Sequence, residues 1–108
     1  MLPHMRWDTP QSQDLFRALT RIKNPKQMGF FLRDLLTAEE ITEFSRRWRT
    51  AQLLAAQETY ETIQKKTGLS STTIARISKW LTRGTGGYRT AIKTAQHHTH
   101  HHTRLSVE

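Results

Sequence analysis

Arg76 and Lys79 stand three residues apart in a stretch that otherwise offers hydroxyls, Ser70, Ser71, Thr72 and Thr73. An arginine can grip the acceptor edge of guanine with two parallel hydrogen bonds, and a lysine can reach a phosphate or the same edge. Hydroxyls and backbone N–H groups at the start of a helix suit phosphates and base edges. Lys65, Lys66, Arg83 and Arg89 flank this stretch and suit backbone phosphates, which raise affinity and salt sensitivity without choosing sequence. A second group of chemistry-bearing residues lies near the C-terminus, His97, His98, His100, His101 and His102, interrupted by Thr99. Imidazoles at this density can hold a divalent metal without an ordered fold. Three readings stand, a native low-complexity tail, an added remnant or a metal sensor; a flexible tail without a metal role, open to adventitious divalent metal, is favoured.

No catalytic constellation accompanies them. There is no cysteine, so disulfides and thiolate metal sites are excluded, and the adjacent Glu39 and Glu40 read as helix-capping residues. Gly84-Thr85-Gly86-Gly87 lacks the preceding strand and the spacing of a nucleotide loop, and reads as a hinge. The sequence therefore points to a binding protein that is not an enzyme and requires no cofactor.

The basic residues need a scaffold, and Thr59–Leu81 supplies one. Gly68 sits where a first short helix must end, and glycine accepts the left-handed backbone such an end often needs. Ser70 follows as the cap of a second helix. Ile63, Leu69, Ile74, Ile77 and Leu81 are spaced to point inward, leaving Ser71, Thr72, Ala75, Arg76 and Lys79 outside. This is the pattern of a helix-turn-helix, with residues 70–81 as the helix that enters a DNA major groove. One position departs from the usual pattern: Gln64 stands four residues before the turn glycine, where alanine commonly lets the helices touch.

Upstream, residues 1–8 show no period and form an arm. Thr9-Pro10 starts a helix with threonine as cap and proline in the first position. Leu15, Phe16, Leu19 and Ile22 recur at helical spacing. Asn24-Pro25 ends that helix and starts another, lined by Met28, Phe31, Leu32 and Leu35. Thr37 and Glu40 form a capping box for a long third helix, predicted over 38–56. Its stripe of Ile41, Phe44, Trp48, Ala51 and Ala55 predicts full burial, widened by Leu53 and Leu54. Tyr88, Ala91, Ile92 and Ala95 mark a weak last helix. No strand-like alternation occurs, so the fold class is all-α, about six helices over 9–96, with a flexible tail at 97–108.

Charge and core complete the picture. Residues 1–45 hold six Lys/Arg and six Asp/Glu, whereas 46–103 hold ten basic residues against Glu58 and Glu61. That asymmetry, in a chain of net charge +8, suits a polyanion. The large apolar residues of the first three helices exceed what so short a monomer covers, which predicts a homodimer. Two reading helices about 34 Å apart would then address consecutive major grooves. No apolar run approaches the roughly 18 residues of a membrane span, and no signal peptide is visible, so a cytoplasmic location is expected.

The order of capping box, long helix and helix-turn-helix resembles the Trp repressor superfamily. FFLRDLLTAEEITEFSRRWRTAQLL and the motif after it carry the likeness, over roughly residues 28–83. The closing LTRGTGGYRTAI is similar to the YerC/YecD branch. The resemblance implies an intertwined helical homodimer that binds operator DNA and regulates transcription, as a repressor. It also implies an effector pocket: Arg47 matches the arginine that holds an amino-acid carboxylate and Arg76 the one that flanks the indole. Thr37 and Thr73 match pocket-lining positions. Ile77 stands where the Trp repressor has the glycine that makes room for the ring, and Trp80 replaces a small residue beside it. A branched chain in a snug pocket costs kilocalories, which argues against tryptophan as corepressor here. The competing reading is a helical metal-binding or protein-interaction adaptor that uses the histidine tail and the basic face. RNA binding is weaker, because no exposed aromatic platform for stacking bases is evident.

Overall fold

In the computed structural model, which describes residues 6–107 and side chains through His97, every regular element among the described residues is a helix. In chain order these are α1 (Pro10–Arg21), α2 (Pro25–Leu35), α3 (Ala38–Ala55), α4 (Tyr60–Thr67), α5 (Ser71–Arg83) and α6 (Gly87–Val107). The chain divides into two compact units, Met1–Ile41 and Thr42–Glu108.

The first unit holds α1, α2 and the opening of α3. Its helix starts are set by local chemistry. Thr9 accepts from the Ser12 N–H at 3.1 Å while the Ser12 hydroxyl accepts from the Thr9 N–H at 2.8 Å, a reciprocal cap that spacing had not disclosed. Asn24 accepts from the Gln27 N–H at 2.8 Å, and Pro25 fills a position whose N–H would have no partner in any case. Thr37 and Glu40 close the predicted box, at 2.8 and 3.0 Å. The described part of the N-terminal arm leans on α1: the Ser12 hydroxyl donates to the Trp7 carbonyl at 2.6 Å, and the Trp7 and Phe16 rings lie 6.2 Å apart. Neither α1 nor α2 buries a single side chain fully. Phe30 remains 63% exposed and Leu35 47%.

The second unit has a core of Ala51, Leu53, Ile63, Leu69, Ile74, Ile77 and Ile92, with Trp48, Leu54, Leu81 and Tyr88 packed around it. The α3 stripe predicted for full burial is therefore corrected in part. Ala51 is buried, but Phe44 and Ala55 are exposed, and the face that enters the core is Thr50, Ala51 and Leu53. The Thr50 hydroxyl is fully buried and finds no hydrogen-bond partner among the described residues. An unpaired buried hydroxyl costs about 1–3 kcal/mol. Thr50→Val, which keeps the shape and removes the group, is expected to stabilise the protein by about 1 kcal/mol, read as a rise in the urea midpoint at constant slope.

α3 ends in a two-bond reversal. The Gln57 N–H donates to Leu54 at 2.9 Å and the Glu58 N–H to Leu53 at 3.0 Å, with Gln57 at φ 68° in the left-handed region. Beyond the glycine turn, α6 continues as helix through the composition break at 96/97 to Val107.

Candidate nucleic-acid interface

The turn between α4 and α5 is fixed by Gly68 and Thr67. Gly68 takes φ 77°, a backbone that side chains other than glycine's adopt at a cost, and its N–H donates to the Gln64 carbonyl at 2.8 Å. The buried Thr67 hydroxyl donates to the Ile63 carbonyl at 2.7 Å and accepts from the Leu69 N–H at 3.2 Å. Thr67 was not singled out in the sequence, because a threonine in a last turn carries no periodic signal. Gln64 is exposed, so the departure there leaves its side chain toward solvent. The five residues expected inside behave as expected: Ile63, Leu69, Ile74 and Ile77 are buried and Leu81 is half-buried.

On the opposite side of α5, Ser71, Thr72, Ala75, Arg76 and Lys79 are all exposed. The hydroxyls divide by duty. Ser70 caps the helix, accepting from the Thr73 N–H at 3.2 Å and donating to the Thr73 hydroxyl at 3.1 Å. Ser71 and Thr72 are left with outward side chains at the N-terminal turn, where the helix dipole favours an anion. Lys65 and Lys66 end α4 and Arg83 ends α5, all exposed. Among the described residues no carboxylate pairs with Lys65, Lys66, Arg76, Lys79 or Arg83; the ion pairs are Arg17 with Asp14 and Arg47 with Glu43. These cations are thus available to an external polyanion. Arg89 differs from them. Its Nε donates to the Leu81 carbonyl at 3.0 Å and its Nη2 to the Thr82 carbonyl at 2.9 Å.

Of the residues matched to an effector pocket, Thr37, Thr73, Arg47 and Ile77 are engaged in other ways, whereas Arg76 and Trp80 are exposed. Thr37, in the first unit, is held in its capping box. Arg47 pairs with Glu43 at 3.3 Å and lies 5.8 Å from the Phe44 ring centre. Burial pushes the Tyr88 phenol above its usual value, and the Arg47 charge pulls it back in part. Ile77 has no exposed surface and belongs to the core. Trp80, which could have filled the same space from within, lies at the surface instead. It is 44% exposed and lines a cleft of about 420 Å³ with Gly84, Thr85, Gly87 and Tyr88. Of the proposed metal residues, His97 is exposed, and the side chains of His98, His100, His101 and His102 lie outside the described residues. Among the described residues no group of three metal-ligating side chains converges, and no helix is long and apolar enough to cross a membrane.

The chain is 32% identical over 78 residues to the uncharacterized protein YerC of Bacillus subtilis strain 168, covering 72% of this chain and 75% of that protein. Its fold is similar to a TrpR-like protein from Eubacterium eligens ATCC 27750, with a TM-score of 0.79, 31% identity, and 82% and 92% of the two chains covered. It is also similar to a protein from Staphylococcus aureus provisionally assigned as a Trp repressor, with a TM-score of 0.80, 26% identity, and 89% and 96% covered. The family model described as Trp repressor protein matches residues 10–96, from the start of the first helix into the sixth, and the chain belongs to that family.

Proposed function

We propose that this protein is a sequence-specific double-stranded DNA-binding regulator, a repressor in the cytoplasm, which reads the major groove with α5 as a homodimer. Its family is one of DNA-binding regulators and not of enzymes. The observation that carries the reading is the exposed row Ser71, Thr72, Arg76 and Lys79, on a helix whose start is capped by Ser70 and whose preceding turn is held by the buried Thr67 hydroxyl. Lys65, Lys66 and Arg83 supply sequence-independent attraction beside it. The homodimer is supported by α1 and α2, which bury nothing fully in the single chain, and by the exposed Phe30, Leu35 and Phe44. Covering such surface with a second copy recovers apolar burial that one chain of this size lacks.

No cofactor is needed for this activity. Tryptophan is a doubtful corepressor on this reading, since the fully buried Ile77 stands where the family resemblance would put the glycine that makes room for the ring. The histidine-rich segment has no assigned metal role, so removing 97–108 leaves duplex binding intact, whereas an adaptor built on that segment would lose its partner. Selection from a pool of random duplexes is expected to return a two-fold symmetric site with half-sites about one helical turn apart. Light scattering at micromolar concentration is expected to give twice the chain mass of 12.6 kDa. A pool that yields no enriched duplex, or binding indifferent to salt, sinks the DNA reading; a monomer mass sinks the dimer.

A further inference from the structure

A helix leaves its last four carbonyls without partners inside itself, and an exposed last turn frays unless something else engages them. In α5 those carbonyls belong to Trp80, Leu81, Thr82 and Arg83. The first is taken by the Gly84 N–H at 2.9 Å. The next two are taken by one side chain from the following helix: Arg89 Nε on Leu81 at 3.0 Å and Arg89 Nη2 on Thr82 at 2.9 Å. A planar guanidinium can meet two neighbouring carbonyls at once, and its charge opposes the negative end of the helix dipole. The turn between is built for this return. A Cβ at Gly84 would collide with the Trp80 carbonyl oxygen, and Gly86 takes φ 92°.

We infer that Arg89 is a positioning residue for the reading helix, a two-pronged clamp that ties the C-terminal turn of α5 to the start of α6. This rests on the DNA reading proposed above, and it removes Arg89 from the set expected to touch phosphate. The bases read by Arg76 and Lys79 demand that α5 hold one orientation to its last turn. Without the clamp that turn loses two partners, and the groups that choose sequence lose definition before those that merely attract phosphate.

The test uses the full chain with Arg89→Lys and Arg89→Ala, and Lys65→Ala as a comparator. In the free wild-type protein, the Arg89 Nε–H is expected to be protected from exchange with water, observed by NMR. In both Arg89 variants the preference for the selected duplex over a random one is expected to fall on the order of tenfold, the worth of a hydrogen bond to a charged group. The slope of log affinity against log salt stays at its wild-type value. Lys65→Ala does the reverse: it flattens that slope by about 0.9 per lost phosphate contact and leaves the preference intact. Lysine keeps the charge of Arg89 but not its fork. Full rescue by Arg89→Lys together with a flattened slope in Arg89→Ala makes Arg89 a phosphate contact and overturns the clamp. Unchanged preference in both variants overturns it too, as does a freely exchanging Nε–H. A wild-type protein that binds no duplex defeats the DNA reading and the positioning role with it, while the exchange measurement still decides whether the two bonds exist.

Discussion

Ile77→Ala is expected to cost the protein about 2–5 kcal/mol, the usual toll for truncating a fully buried branched side chain. Ile77 has no exposed surface and shares the core with Ile63, Leu69 and Ile74, the residues that join α4 to α5. For a domain of this size such a loss is a large share of the total stability, commonly about 5–15 kcal/mol. Urea unfolding checks it: the midpoint should drop while the slope stays constant. Glycine at the same place should cost about 1 kcal/mol more than alanine, because it also weakens the helix interior. The result bears on the effector. In this chain the position that family resemblance would leave open for an indole is a structural keystone of the reading unit. Titration of the wild-type protein with tryptophan is therefore expected to give no binding signal, and saturable uptake would show that Ile77 can be displaced.

Arg76→Ala is expected to weaken the preferred duplex by about 1–3 kcal/mol and to relax preference at one base position. Arg76 is exposed on the outward face of α5, no carboxylate among the described residues pairs with it, and Ile77 beside it is anchored in the core. Its guanidinium can thus be spent on a base edge. Repeating the random-duplex selection with the variant checks this directly. Enrichment of the same site with the same stringency at every position would show that Arg76 reads nothing.

Much of this arrangement was legible in the sequence because it is local. A threonine before Pro10, an asparagine before Pro25 and a glutamate three residues after Thr37 each specify a helix start by contacts within four residues. Gly68 and Ser70 mark the turn in the same way. The inward set of the motif followed from spacing alone. The α3 face followed only in part. Apolar periodicity selected Ala51 and Leu53, which enter the core, but also Phe44 and Ala55, which are exposed, and it missed the buried Thr50. A threonine is invisible to a count of apolar positions. The contacts of Arg89 to the end of α5 were not legible for a related reason. Its partners lie seven and eight residues back across a glycine turn, beyond any intrahelical spacing rule. Composition sets a tail from residue 97, whereas α6 is helical to Val107. Histidine and threonine are middling helix residues, and no glycine or proline occurs from 88 to 107 to stop the helix.

The turn between α4 and α5 has one more consequence. The groups that hold it are the Thr67 hydroxyl, backbone N–H and carbonyl groups, a glycine and aliphatic side chains. None of these gains or loses a proton in water near neutrality. The shape of this turn is accordingly indifferent to acidity across the neutral range. Under the proposed function, such a regulator cannot sense pH through this turn, and any acid response of DNA binding must originate in another part of the chain.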